Sequence, residues 1–273
     1  MFKFSICNEL FEGWNLEKTF KCIAALGYNG VEIAPYTIAE TVTDIGGPKR
    51  SYIRELAKTN GLEVAGIHWV LKGTRGLHLT SPDPEVRQRT TDYLKHLAKF
   101  CGEIGGKVIV FGSPDQRSVP VGVDFAKAWG WAAETFSECA EYASGYDVTI
   151  CMEPLRWELT NFVTTVDEAL KIIKDVDHKN FQLILDVYSM SDENKPIDTL
   201  IAKGAAHLRH FHANDDNKRG PGFGNADYTK VVKGLKSIGY KGFVSVEILT
   251  KEDNPETAAK TSIQNLRKSF TEE

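Results

Sequence analysis

Residues 148–153 read VTICME, a short apolar run closed by a single glutamate. Three later stretches have the same form: 181–186 FQLILD, 207–212 HLRHFH and 242–247 GFVSVE, which end on Asp186, His212 and Glu247. They recur at roughly the length of one βα unit, about 30 residues, in a (β/α)8 barrel, whose strands all deliver their C-terminal ends to one mouth. Four consecutive strand ends would therefore carry three carboxylates and an imidazole to a common point.

Working outward, the chain repeats strand, loop and amphipathic helix eight times. Alternation places strands near 2–7, 30–33, 63–67, 107–111, 148–152, 181–186, 207–212 and 242–247. Helical patterns begin at Leu16 and Gly47, at Pro82 behind a Ser81 cap, then at Asp124, Thr165, Pro196, Asp227 and Asn254. Several end on glycine, as in ALGYNG and KTNG, where the left-handed conformation stops a helix. Strict alternation with short buried strands predicts a parallel sheet, and eight units without a break in composition predict its closure into a TIM barrel. An open doubly wound sheet would want a Gly-rich phosphate turn after the first strand, and SICNELFEGW has none. With 273 residues, one barrel spanning 1–273 leaves little chain for a second domain.

Composition excludes several function classes. A net charge of −4 with no lysine- or arginine-rich face argues against a nucleic-acid surface. Five cysteines, odd in number and without a C-x-x-C pair, indicate a reducing compartment. MFKFSIC is too short an apolar run for a signal peptide, and no stretch approaches the 18 apolar residues of a membrane span, so a cytoplasmic location is expected. The glycines of Gly222-Phe223-Gly224 lack the rest of a phosphate loop and read as a mobile turn before a helix capped by Asn225 or Asp227. Ser113 lies in no nucleophile-elbow pattern. Asp115, Gln116 and Arg117, on the loop after the fourth strand, are expected to line an entrance or reach a neighbouring subunit.

Side-chain alternation extends the constellation inward. If Glu153 faces the barrel axis, so do Cys151 and Thr149, and by the same parity Ile184, His210 and Ser245 lie beneath Asp186, His212 and Glu247. His210 is read as a buried, hydrogen-bonded histidine rather than a ligand. The set Glu153, Asp186, His212 and Glu247 is oxygen-rich, which suits Mn2+ first and Mg2+ next, with Co2+ or Zn2+ able to occupy it. Four protein ligands leave positions open on a five- or six-coordinate ion for a sugar carbonyl and its neighbouring hydroxyl.

These residues resemble the xylose isomerase-like TIM barrels, a group that includes ketose 3-epimerases, hydroxypyruvate isomerase, inosose dehydratases and endonuclease IV. The resemblance covers essentially the whole chain and is carried by GVEIAP at Glu32, GIHW at His68, SPDPEVR, KVIVFGSPDQR, MEPLRWE at Glu153, LILDVYSM at Asp186, HFHANDDNKRGPGFG at His212 and VSVEI at Glu247. It implies one divalent cation on Glu153, Asp186, His212 and Glu247. It also implies a sugar isomerase or epimerase acting by proton abstraction next to a carbonyl through an enediolate, with Glu153 and Glu247 as the proton-transfer groups. His68, Glu158 and Arg219 are the implied substrate contacts. Trp14, Trp69 and Trp157 follow strand ends, where a ring face can pack on sugar C–H groups. The chain departs from the ketose 3-epimerase pattern at Ser189, where a histidine is expected three residues after the metal-binding Asp, and at Glu158, one residue early. An inosose-type dehydratase uses the same metal set and stays open, as does a non-catalytic sugar-binding barrel. The three-metal nuclease lacks most of its extra histidines, since Phe111-Gly112-Ser113, Ser189 and Asn225-Ala226-Asp227 stand in their places. The expected partner is a small sugar or polyol-derived molecule, and a homo-oligomer is possible on this reading.

Overall fold

The computed structural model describes residues 2–271; Met1, Glu272 and Glu273 of the expected 1–273 domain lie outside the described residues. Eight parallel strands close in sequence order: β1 (Lys3–Cys7), β2 (Gly30–Ile33), β3 (Glu63–Ile67), β4 (Val108–Phe111), β5 (Thr149–Met152), β6 (Phe181–Asp186), β7 (Leu208–Ala213) and β8 (Phe243–Val246), with β1 pairing β8. The result is the expected (β/α)8 barrel.

The helices outside the strands form where amphipathic patterns meet capping residues. Asn15, Asp124, Thr165 and Asp227 each accept a hydrogen bond from a backbone N–H in the first turn of the helix they precede, satisfying a donor that the helix cannot. Asp227, not Asn225, is thus the cap of the helix Tyr228–Ser237. Gly27 (φ 86°) and Gly239 (φ 62°) turn the chain out of helices in a conformation a Cβ would penalise. One expected helix start shifts. The helix Pro84–Glu103 is capped by Asp83, which accepts from Glu85 N–H at 2.9 Å, whereas the Ser81 hydroxyl accepts the N–H of Asp83 and so belongs to the turn before it. An unforeseen short helix, Val187–Met190, follows β6 directly.

Most of the core lies between the strands' outer faces and the helices, in one large cluster built from residues such as Phe20, Ile33, Ile67, Phe111, Phe136, Phe181 and Val244. A second, small cluster holds Val108, Val110, Cys151 and Ile184. Cys151 sits two residues before Glu153 and Ile184 two before Asp186, so this cluster is the apolar half of the barrel lumen. The other half is polar: Glu32, His210, His212 and Ser245 are all buried on strands β2, β7 and β8. Register irregularities occur at Val31/Glu32 against β3 and at Leu183/Ile184 against β7.

Candidate metal centre

β5, β6, β7 and β8 bring Glu153, Asp186, His212 and Glu247 together, with one ligand-type atom from each within 4.8 Å of the others. Asp186 pairs across the sheet with His212, and His212 with Ser245, so register puts Asp186 and His212 at one level while Glu247 stands two residues further along β8. All four are buried. Glu153, Asp186 and Glu247 line a cavity of 250 Å3 whose walls also include Trp69, Val110, Leu155, Tyr188 and Leu249.

Each donor is held from behind. Asp186 accepts the N–H of Ser189 on one oxygen and the Asn214 side-chain amide on the other, both at 2.6 Å. Asn214 is itself fixed, accepting from Tyr188 N–H and receiving the Tyr228 hydroxyl on its carbonyl. His212 points Nδ1 at Glu247 (3.2 Å) and Nε2 at Glu32 (3.1 Å). A carboxylate behind one ring nitrogen fixes the tautomer and leaves the other lone pair for a cation. Glu32 also meets His210 Nε2 at 2.8 Å. Glu153 is supported through its backbone, since the wholly buried Arg117 donates to the carbonyls of Glu153 (2.7 Å) and Val163 (2.9 Å). The loop reading for Arg117 is therefore corrected: it neither lines an entrance nor reaches outward, because its guanidinium satisfies two interior carbonyls. Asp115 remains exposed.

The electrostatics are those of crowded anions. Burial pushes the Glu153 carboxyl up to about 8, with the Glu247 and Asp186 carboxylates adding to the shift. Burial and Glu247 raise Asp186 to about 6. Burial alone would raise Glu247 too, but the His212 ring beside it wins and holds it below the usual range. His212 runs the other way: burial opposes its charge, yet Glu247 and Glu32 lift it well above an ordinary histidine. A bound dication would offset this repulsion, and the oxygen-rich donor set fits one.

The remaining expected contacts divide. His68 is wholly buried, lines the cavity and bonds Glu9 through Nε2 at 2.6 Å. Trp69 lines the cavity, and Trp14 lines an adjoining cleft. Arg219 is not brought to the donors: its guanidinium grips Glu252 through two bonds of 2.7 and 2.6 Å, and Lys218, left-handed at φ 67°, lines the cavity instead. Glu158 is half exposed beside Arg156, and Leu159, the next residue, lines the wall. Trp157 is 69% exposed. The glycine turn does not cradle an anion, since the N–H groups of Gly222 and Gly224 donate to Asp215.

Glu32, Glu9, Asn214 and Arg117 are absent from the set expected from sequence. Glu32 alone had a signal, a charged residue inside the apolar run GVEI of a short strand, where only a partnered charge survives burial.

The fold and the four donors define a (β/α)8 barrel with a carboxylate-rich candidate cation site at the C-terminal mouth. The chain belongs to the xylose isomerase-like TIM barrel family, whose model matches residues 20–269. It is 28% identical over 230 residues to D-psicose 3-epimerase of Ruminiclostridium cellulolyticum, covering 82% of this chain and 75% of that one. It is 25% identical over 262 residues to fructoselysine 3-epimerase of Escherichia coli O157:H7, covering 92% of each. Among solved structures, D-psicose 3-epimerase with D-tagatose from Clostridium cellulolyticum H10 superposes with a TM-score of 0.86 at 20% identity, covering 98% of this chain and 99% of the other. No helix among the described residues is long and apolar enough to cross a membrane.

Proposed function

We propose that the protein is a divalent-metal-dependent sugar isomerase or epimerase that moves a proton on a carbon next to a carbonyl. The observation that carries this reading is the convergence of Glu153, Asp186, His212 and Glu247 within one 4.8 Å cluster at the barrel mouth. The 3-epimerase relatives support it. Glu153, Asp186, His212 and Glu247 would hold the cation, Mn2+ in the first instance, and the cation would supply polarisation of a substrate carbonyl.

The chain's own residues do the rest. Glu153 and Glu247 reach the cavity from different strands, so two carboxyl groups stand where a proton can be taken from and returned to a substrate carbon. A carboxylate within reach of an acidified C–H takes the proton, and a carboxylic acid on the other side returns one. His68, anchored by Glu9, presents a buried ring to a substrate oxygen. Val110, Leu155 and Leu249 exclude water from the site.

The test is deuterium uptake from solvent, followed by mass spectrometry, with ketoses, aldoses, inososes and hydroxypyruvate in the presence of Mn2+. Uptake at one carbon of one sugar class is expected. A Glu247→Gln variant that kept full exchange would remove Glu247 from proton transfer, and no uptake from any of them would sink the reading.

A further inference from the structure

Beside the metal cavity lies a larger cleft, of 660 Å3, walled by Trp14, Tyr36, Trp69 and Lys72 on one side and by the segment after β8 on the other. Trp69 and Leu249 line both spaces, so one ligand can run from the four donors into the cleft. At 250 Å3 the inner cavity falls below the usual range for a whole drug-sized ligand, and a single sugar ring would leave the cleft unused.

The lining states what the cleft takes. The Lys72 ammonium lies 4.1 Å from the Tyr36 ring centroid and 4.6 Å from that of Trp69, fixing two aromatic faces about one cation. Trp69 holds its place from a left-handed backbone, φ 51°, which a bulky residue adopts only where its surroundings impose it. Its buried indole N–H finds no acceptor among the described residues. Charge disfavours an anionic occupant: Glu9, Glu12, Glu252 and Asp253 line the cleft against only Lys72 and Lys251. Aromatic faces with mixed polar groups suit a neutral polyhydroxylated ring, whose C–H face packs on π surfaces while its hydroxyls find donors and acceptors.

We infer that this cleft is the subsite for a second sugar ring, joined by a glycosidic bond to the ring whose carbonyl meets the four donors, so that the substrates are keto-glycosides rather than free monosaccharides. The inference rests on the proposed sugar chemistry but is read out separately from it. Calorimetric titration of the Mg2+-loaded protein would compare D-fructose with isomaltulose, its 6-O-glucosyl form, with deuterium uptake followed on the same samples. Isomaltulose should bind about tenfold more tightly, the worth of one or two aromatic packing contacts. That ratio should fall to about twofold or less in Tyr36→Ala and in Lys72→Ser, the second an exposed position that leaves the core untouched. Equal affinities, binding of neither sugar, or a preference that survives both substitutions would overturn the subsite. A preference without deuterium uptake from either sugar would keep the subsite and remove the epimerase reading; uptake with equal affinities would do the reverse.

Discussion

Glu32 is sealed from solvent, yet it stays ionised: burial raises its affinity for a proton, but His210 and His212 against its two oxygens drive it well below the usual range. Replacing it with an isosteric amide keeps the volume and removes the charge. Nothing would then oblige His212 to carry its proton on Nε2, and the lone pair on Nδ1, the nitrogen facing Glu247, would no longer be secured. The prediction is that Glu32→Gln folds but binds Mn2+ about 10–100-fold more weakly, the usual cost of losing a carboxylate behind a ligating histidine. Calorimetric titration with the metal checks it, and an unchanged affinity would reduce Glu32 to a packing role. Residue by residue, the four donors were legible because each closes an apolar run. Glu32 showed only as a charge inside an apolar run, because a four-residue strand has too little alternation to say which face that charge takes, and the shifted register at Val31/Glu32 adds to the ambiguity.

At the scale of elements, strands proved easier to read than the loops that follow them. Period-two patterning fixes a strand to within a residue, while a loop side chain's direction depends on a few dihedrals that composition does not encode. Arg219 and Lys218 are neighbours, and a single left-handed residue decides which of them faces the cavity. The polar loop SPDQRS reads as lining an entrance or reaching a neighbouring subunit, yet Arg117 is among the most buried side chains, its guanidinium donating to the Glu153 and Val163 carbonyls. Arg117→Met should therefore lower stability by about 3 kcal/mol or more, since it removes two charge-assisted bonds and strands two buried acceptors. Arg117→Lys should recover only part of this, because a single ammonium cannot span both carbonyls as the guanidinium fork does. Urea denaturation of the two variants measures both effects, and a loss under about 1 kcal/mol for Arg117→Met would show that water replaces the guanidinium.

For the whole molecule, concentrating anions at one mouth ties global stability to pH and to metal. Glu153 and Asp186 bind protons more tightly in the folded chain, at about 8 and about 6, than their ordinary values of 4.5 and 3.8. Between those limits the native state holds protons that the unfolded chain has released, so unfolding becomes easier as pH rises. His68 and His212, both lifted well above 6.5, act in the same direction: their stabilisation is complete below that value and is lost as pH climbs through the raised ones. Glu247 and Glu32, both lowered from 4.5, oppose this only in acid, where their contribution fails as pH falls through the depressed values. The surface ion pairs are too exposed and screened to reverse the balance. Metal-free protein should thus melt at a higher temperature near about pH 5.5 than near about pH 8.5. Saturating Mg2+ or Mn2+ should reverse the order, because a dication takes the deprotonated donors and its stabilisation grows as their protons leave. Thermal melts at both pH values, with chelator and with metal, decide the matter: a metal-free melting temperature that stays flat or rises across this interval would mean that the four donors do not repel one another as their burial and spacing require.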